Sequence, residues 1–200
     1  MNSVSVLYGA RIGNGNVIFP GAVISAVPQD LKFRGEETTA EVGDNNKIRE
    51  NVTINRGTAA KGKTCVGSGN LLMESVHVAH DAFVGNDCII GNGTKLAGEI
   101  IIDDHAIISA NVLMHQFCRV GGYTMVGGGT RFSQDIPPYT ICAREPVAYC
   151  GLNLVGLRRR GFSNELIENI HNAYRIIYQG GVPLNEALQK VRKKCLPVRK

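Results

Sequence analysis

Aliphatic residues recur every six positions along most of this chain, a spacing that belongs to neither an α-helix nor a simple strand. From Val66 the series runs Val66, Leu72, Val78, Val84, Ile90, Leu96, Ile102, Ile108, Met114, Val120 and Val126 without a break. The same phase holds earlier in two pieces, Ile12–Ile18–Ile24 and Val42–Ile48–Ile54. Glycine often follows the beat residue, as at Gly67, Gly85 and Gly121. The residue four places after it is usually small or β-branched, as at Ala82, Cys88, Thr94 and Thr124. A parallel β-helix built on hexapeptides accounts for this pattern. Each hexad supplies one short strand and one corner, and three hexads close a triangular coil of about 18 residues. The beat residues point inward and stack coil on coil, about 4.8 Å apart. Corners need tight backbone turns, which Gly, Asn and Asp supply. Each buried aliphatic contributes on the order of 1.5–3 kcal/mol, and only stacked coils bury it. The expected fold is an all-β repeat over residues 1–146, a left-handed parallel β-helix, left-handed being the usual hand of hexapeptide coils.

Two polar segments break the beat. Residues 25–41, SAVPQDLKFRGEETTAE, replace hexads with a loop that returns in register, and residues 55–65, NRGTAAKGKTC, form a second excursion. Loops on a rigid scaffold are where binding residues concentrate. After Val126 the segment SQDIPPYTICAREP stops the repeat, and residues 147–200 read as a helical appendage. Ser163 is placed to cap a helix whose apolar face is Leu166, Ile167, Ile170, Ala173, Tyr174 and Ile177. Gly180 and Gly181 end it. Pro183 to about Lys194 predicts a second helix.

Charge divides the chain in the same place. Residues 151–200 hold 10 Lys/Arg and 3 Asp/Glu, a net +7, whereas residues 1–150 hold 12 and 14, a net −2. The basic quarter suits an acidic protein, a phosphorylated ligand, nucleic acid or anionic lipid, or is simply a solvated face. The six cysteines contain no CxxC pair, and Cys88 and Cys118 fall on interior positions, so buried free thiols in a reducing compartment are expected. No run approaches the roughly 18–20 apolar residues of a membrane span. The start, MNSVSVLYGARIG, has no basic region followed by an apolar one, so a cytoplasmic protein is expected.

The coil period gives the polar residues a geometry. One coil above His80 is Gly98, and one coil above Gly98 is Gln116, so the three share a column. A histidine beside a bare glycine amide pairs a general base with an oxyanion donor, the two parts that acyl transfer requires. Asp81 can orient the His80 ring or favour its charged form. His77, His80, His105 and His115 also raise a zinc reading, but His105 lies two positions off the column of His80 and His77, and no metal is expected.

The motifs PQDLKF, HVAHD, LAGE, HQF, DIPPY and GLRRRGFS, with RE, VTI and RGT between Arg49 and Thr58, occur in an order that resembles the UDP-N-acetylglucosamine 3-O-acyltransferase family of lipid A biosynthesis. The likeness runs from about Gly9 to Ala187, and LAGEIIIDDHAIIS followed by REP is similar to its Bacteroidetes branch. The resemblance implies transfer of a 3-hydroxyacyl chain from acyl carrier protein to the sugar 3-OH. It implies His80 as general base, Asp81 as its partner and the Gly98 amide as oxyanion donor. It implies substrate roles for Asp30, Lys32, His77, His115 and Gln116, and for Asn153, Arg159 and Arg160 near the phosphopantetheine arm and nucleotide sugar. Gly128 matches a position that sets acyl-chain length. It further implies a homotrimer with sites in clefts between prisms, an acidic carrier-protein partner for the +7 segment, and no cofactor beyond the carrier's phosphopantetheine. No nucleic-acid partner follows from it.

Family members commonly carry His where this chain has Asn55 and Glu99, and Glu where it has Val155, which touches sugar contacts more than the base. The chain also reads as shortened at both ends relative to the family. Three other readings stay open: a sister N-acyltransferase, an acetyl-CoA-dependent acetyltransferase on the same prism, and a non-catalytic shortened homologue.

Overall fold

The computed structural model describes residues 3–195, and the chain divides into two compact units, the first ending at Gly151 and the second beginning at Leu152. The first unit is a left-handed parallel β-helix with three flat faces of seven, six and eight strands. Most strands are two residues long, because each beat residue is followed at once by a corner. Register follows the period. On the first face His77–Val78 pairs with Lys95–Leu96, and Lys95–Leu96 with Leu113–Met114. On the second, Phe83–Val84 pairs with Ile101–Ile102, and on the third Ile89–Ile90 pairs with Ile107–Ile108. All eleven residues of the unbroken series are buried, from Val66 to Val126. Ile90→Asp would leave an unpaired charge in this stack, which costs several kcal/mol.

Corners without an insertion bend alike along the middle of the coil. The residue three after the beat has a left-handed backbone at nine consecutive corners, from Asp81 (φ 59) through Glu99 (φ 60) to Gly129 (φ 69). Non-glycine residues adopt this conformation at a cost that Asn and Asp bear best.

The aliphatic beat ends at Val126, but the coil does not. Phe132 takes the next beat position, 5% exposed, and its strand pairs with Leu113–Met114. Ile136, only four residues on, bridges to Val120, and Cys142 pairs with Val126. An aromatic residue and one shortened step hide this last turn from a six-residue count. At the other end Ser5–Val6 pairs with Val23–Ile24, so the coil starts before Gly9.

The polar breaks are insertions at a corner rather than replacements of hexads. Val23–Ala26 on the first face leads through the first excursion to Thr39–Val42 on the second. Thr53–Asn55 leads through the second excursion to Lys63–Val66. No strand is lost from either face, and both loops leave from the corner between the first and second faces.

The six cysteines are free thiols, with Cys88, Cys118 and Cys142 buried. Burial pushes the Cys88 thiol up to about 11. Among the described residues the second unit contains three helices, α1 (Leu154–Arg159), α2 (Asn164–Gln179) and α3 (Leu184–Lys194). Ser163 caps α2 by accepting from the Leu166 N–H at 3.1 Å, and α2 buries Ile167, Ile170 and Tyr174. The short α1 has no apolar period long enough to signal it in the sequence. Among the described residues no helix is long and apolar enough to cross a membrane.

Candidate active site

The corner between the second and third faces sets the standard for an inert one. Asn14, Asp44, Ser68, Asn86 and Asp104 stand there in one column, each two residues after its beat. The Asn14 N–H donates to Asp44 at 2.6 Å, that of Asp44 to Ser68 at 2.9 Å, that of Ser68 to Asn86 at 2.8 Å and that of Asn86 to Asp104 at 2.7 Å. Just inside it Asn46 and Asn70, both buried, work in the opposite direction: their side chains accept from the amides of the coil above, Asn46 from Asn70 at 2.8 Å and Asn70 from Cys88 at 2.7 Å. The amides of the column from Asn14 to Asn86 are thus capped from the coil above.

At the corner between the first and second faces the equivalent column is His80, Gly98 and Gln116. Here the side chains do not cap the amides. The His80 ring instead lies against the backbone of Gly98: a Cβ on Gly98 would sit 2.6 Å from His80 Cε1 and 2.8 Å from Nε2. Glycine is required at this position by close approach, not by a positive φ. The Gly98 N–H has no hydrogen-bond partner among the described residues, while its carbonyl accepts from Phe117 at 3.2 Å.

His80 is held from its other nitrogen. Nδ1 lies 2.8 Å from Asp81 Oδ2. A carboxylate only accepts, so Nδ1 carries the proton and Nε2 is left as an acceptor toward solvent and ligand. The Asp81 side chain is fully buried and the His80 side chain 15% exposed. Buried charge must be paired or bonded, and Asp81 is: Thr58 donates to it twice, from its N–H at 2.9 Å and its hydroxyl at 2.6 Å. The Asp81 N–H donates in turn to Thr64 Oγ1 at 2.8 Å. Neither threonine stood out in the sequence. Thr58 lies in an excursion with no column position, although it ends the RGT motif, and Thr64 reads as one more small interior residue.

The other candidates are spread out. His77 projects from the first face, 2.7 Å from the Thr53 hydroxyl. Burial, with the Lys95 ammonium and the His80 ring nearby, holds it below the ordinary imidazole range, so it is neutral at pH 7. Gln116 continues the His80 column, and His115 beside it has Nδ1 3.1 Å from the Gln116 carbonyl. Asp30 and Lys32 lie in the first excursion, where the Asp30 carboxylate accepts from the Lys32 N–H at 2.9 Å. Gly128 lies on a different corner, between the third and first faces, against Ala110. Asn153, Arg159 and Arg160 belong to the second unit, where Asn153 caps α1 by accepting from Gly156 at 3.1 Å and the two arginines end it. Of the residues that depart from the family pattern, Asn55 donates to the Val27 carbonyl at 2.9 Å and braces the first excursion. Glu99 pairs with Lys61 at 3.5 Å, and Val155 is an exposed residue of α1. No group of three or more His, Cys, Asp or Glu side chains suited to a metal occurs among the described residues.

A hexapeptide coil on which an oriented histidine lies against a glycine with an uncapped amide fits an acyltransferase of the hexapeptide-repeat class. Similarity to known proteins narrows the class. A family model described as UDP N-acetylglucosamine O-acyltransferase, domain 2, matches residues 135–199. The chain is 46% identical over 185 residues to the acyl-(acyl-carrier-protein)–UDP-N-acetylglucosamine O-acyltransferase of Synechocystis sp., covering 92% of this chain and 67% of that protein. Its structure matches the crystal structure of a UDP-N-acetylglucosamine acyltransferase from Bacteroides fragilis at a TM-score of 0.95 and 72% identity, covering 100% of this chain and 78% of that one. The corresponding enzyme of Acinetobacter baumannii matches at a TM-score of 0.91 and 37% identity, over 98% and 79% of the two chains. The chain belongs to the UDP-N-acetylglucosamine O-acyltransferase family.

Proposed function

We propose that this protein transfers a 3-hydroxyacyl chain from acyl carrier protein to the 3-OH of UDP-N-acetylglucosamine, the first step of lipid A biosynthesis, with His80 as general base. The observation that carries this reading is the His80 ring, fixed on Asp81 through Nδ1 and lying on the backbone of Gly98. In this mechanism His80 Nε2 takes the proton of the sugar hydroxyl as its oxygen attacks the thioester carbonyl carbon. The carbonyl oxygen becomes an oxyanion, and the unpaired Gly98 N–H donates to it. Collapse breaks the C–S bond, and the imidazolium returns its proton to the leaving phosphopantetheine thiolate. Asp81 keeps the ring in the productive tautomer and stabilises its charged form.

Around this centre, neutral His77 and the pair His115 and Gln116 serve as substrate contacts, Asp30 and Lys32 reach substrate from the first excursion, and Gly128 leaves room for the acyl chain. Asn153, Arg159 and Arg160 contact the phosphopantetheine arm or the nucleotide. The +7 C-terminal segment recruits the acidic carrier protein. The protein works in the cytoplasm as a homotrimer, with His77 and His115 close to a subunit boundary. Mass-spectrometric assay of His80→Ala with UDP-N-acetylglucosamine and hydroxyacyl carrier protein tests the centre of the reading. A positioned base contributes about 10²–10⁴ in rate, so kcat should fall by that much with unchanged melting. Parent-like kcat would remove His80 from the role.

A further inference from the structure

The second excursion reaches into the centre of the site at one point. Its Thr58, 6% exposed, makes both of its donors available to Asp81: the N–H meets Oδ1 at 2.9 Å and the hydroxyl meets Oδ2 at 2.6 Å. Oδ2 is the same oxygen that holds His80 Nδ1 at 2.8 Å. The Ala60 N–H donates to Thr58 Oγ1 at 3.2 Å, which occupies a lone pair of the hydroxyl and leaves its proton for Asp81. The loop itself is pinned on either side. The Gly62 N–H closes it onto the Thr58 carbonyl at 2.7 Å, and Lys61 pairs with Glu99 at 3.5 Å, one residue past Gly98. Gly57 passes so near the Lys63 backbone that a Cβ would lie 2.5 Å from Lys63 Cα.

A carboxylate held by one imidazole alone can turn about its Cβ–Cγ bond. Held through both oxygens by one rigid residue, it cannot, and its plane then sets the plane of the histidine. We propose that Thr58 is a positioning residue for the reaction: it fixes the Asp81 carboxylate so that His80 presents Nε2 over Gly98, and the second excursion exists at this corner to deliver it. The inference rests on the reading of His80 as base and Asp81 as its orienting partner. Thr58 acts only through Asp81 and touches no substrate.

The test is a kinetic cycle on the full chain with UDP-N-acetylglucosamine and hydroxyacyl carrier protein. Outer-shell partners of metal-bound histidines typically account for about 10–100-fold, and Thr58→Val should lower kcat by a comparable factor. KM for both substrates and the melting temperature should stay near parent values. Thr58→Ser, which keeps the hydroxyl, should recover most of the loss. In an Asp81→Ala background Thr58→Val should change nothing further, because the residue it positions is gone. Thr58→Ala takes its place if the valine variant does not fold. Parent-like kcat in Thr58→Val, or a loss that repeats in full on top of Asp81→Ala, would overturn the assignment while leaving the dyad intact. Parent-like kcat in both His80→Ala and Asp81→Ala would overturn the dyad, and the Thr58 assignment with it.

Discussion

The column Asn14, Asp44, Ser68, Asn86 and Asp104 and the column His80, Gly98 and Gln116 occupy the same place in the repeat, two residues past the beat, at neighbouring corners of one prism. In the first, each side chain from Asp44 upward spends itself on the amide of the coil below, as Asn86 does for Ser68 at 2.8 Å. In the second, His80 is turned away to Asp81 and the Gly98 amide is left open. Backbone geometry is shared, with left-handed residues following in both columns, Asp81 in one and Asp87 in the other. At the third corner Glu74, Asn92, Ala110 and Gly128 hold the same place, and their amides have no cap among the described residues either, so the difference teaches that an open amide becomes a site on this scaffold only where an oriented histidine lies beside it. Stability asks that amides be satisfied; transfer chemistry asks for one that is not.

The comparison can be broken most sharply at the inner side of the capped corner. Asn70 is 1% exposed; its side chain accepts from the Cys88 N–H at 2.7 Å and donates to the Gly85 carbonyl at 2.9 Å. Asn70→Ala would orphan both groups, at roughly 1–3 kcal/mol each. A denaturant midpoint lowered accordingly, with kcat per folded protein unchanged, is expected; a kcat loss without a stability loss would mean the corners are not separable. Gly98→Ala should do the converse. The new methyl would occupy the place of the His80 ring, and loss of an oxyanion donor or its partner geometry costs about 10²–10³ in kcat. Melting should stay near that of the parent, since the ring can swing outward; parent-like kcat would mean the ring does not rest there during turnover.

The smallest effect concerns His77, on the flat face beside the open corner. Burial holds its proton affinity below that of an unfolded imidazole. Above about pH 6.5 neither state protonates it, and no pH dependence arises. As pH falls below that value the unfolded chain takes up a proton that the folded one refuses, so stability falls with acid. His77→Gln should flatten the decline of melting temperature between pH 7 and pH 5. An unchanged slope would place the acid sensitivity elsewhere.

Much of this was legible in the sequence because the fold is periodic. The six-residue beat marks the inward aliphatic positions from Val66 to Val126, and the 18-residue coil by itself places Gly98 over His80. What escaped is what the period does not govern. Thr58 sits in an inserted loop, so no count from Asp81 leads to it. Phe132 is aromatic and Ile136 arrives two residues early, which hid the last turn of the coil. The helix α1 is six residues long with a glycine inside, too short for a face to show.

The left-handed turn at Asp81 has a consequence for how such a protein could decay. Asn45, Asn51 and Asn111 hold the same conformation at other corners, and Gly69, Gly93 and Gly129 hold it as well. A lineage relieved of the reaction would therefore find Asn or Gly at position 81 easy on the backbone, and the prism would outlive its chemistry. Asp87 shows that an aspartate can stand at such a corner for the turn alone; the mark of use at position 81 is a buried carboxylate held by His80 and Thr58.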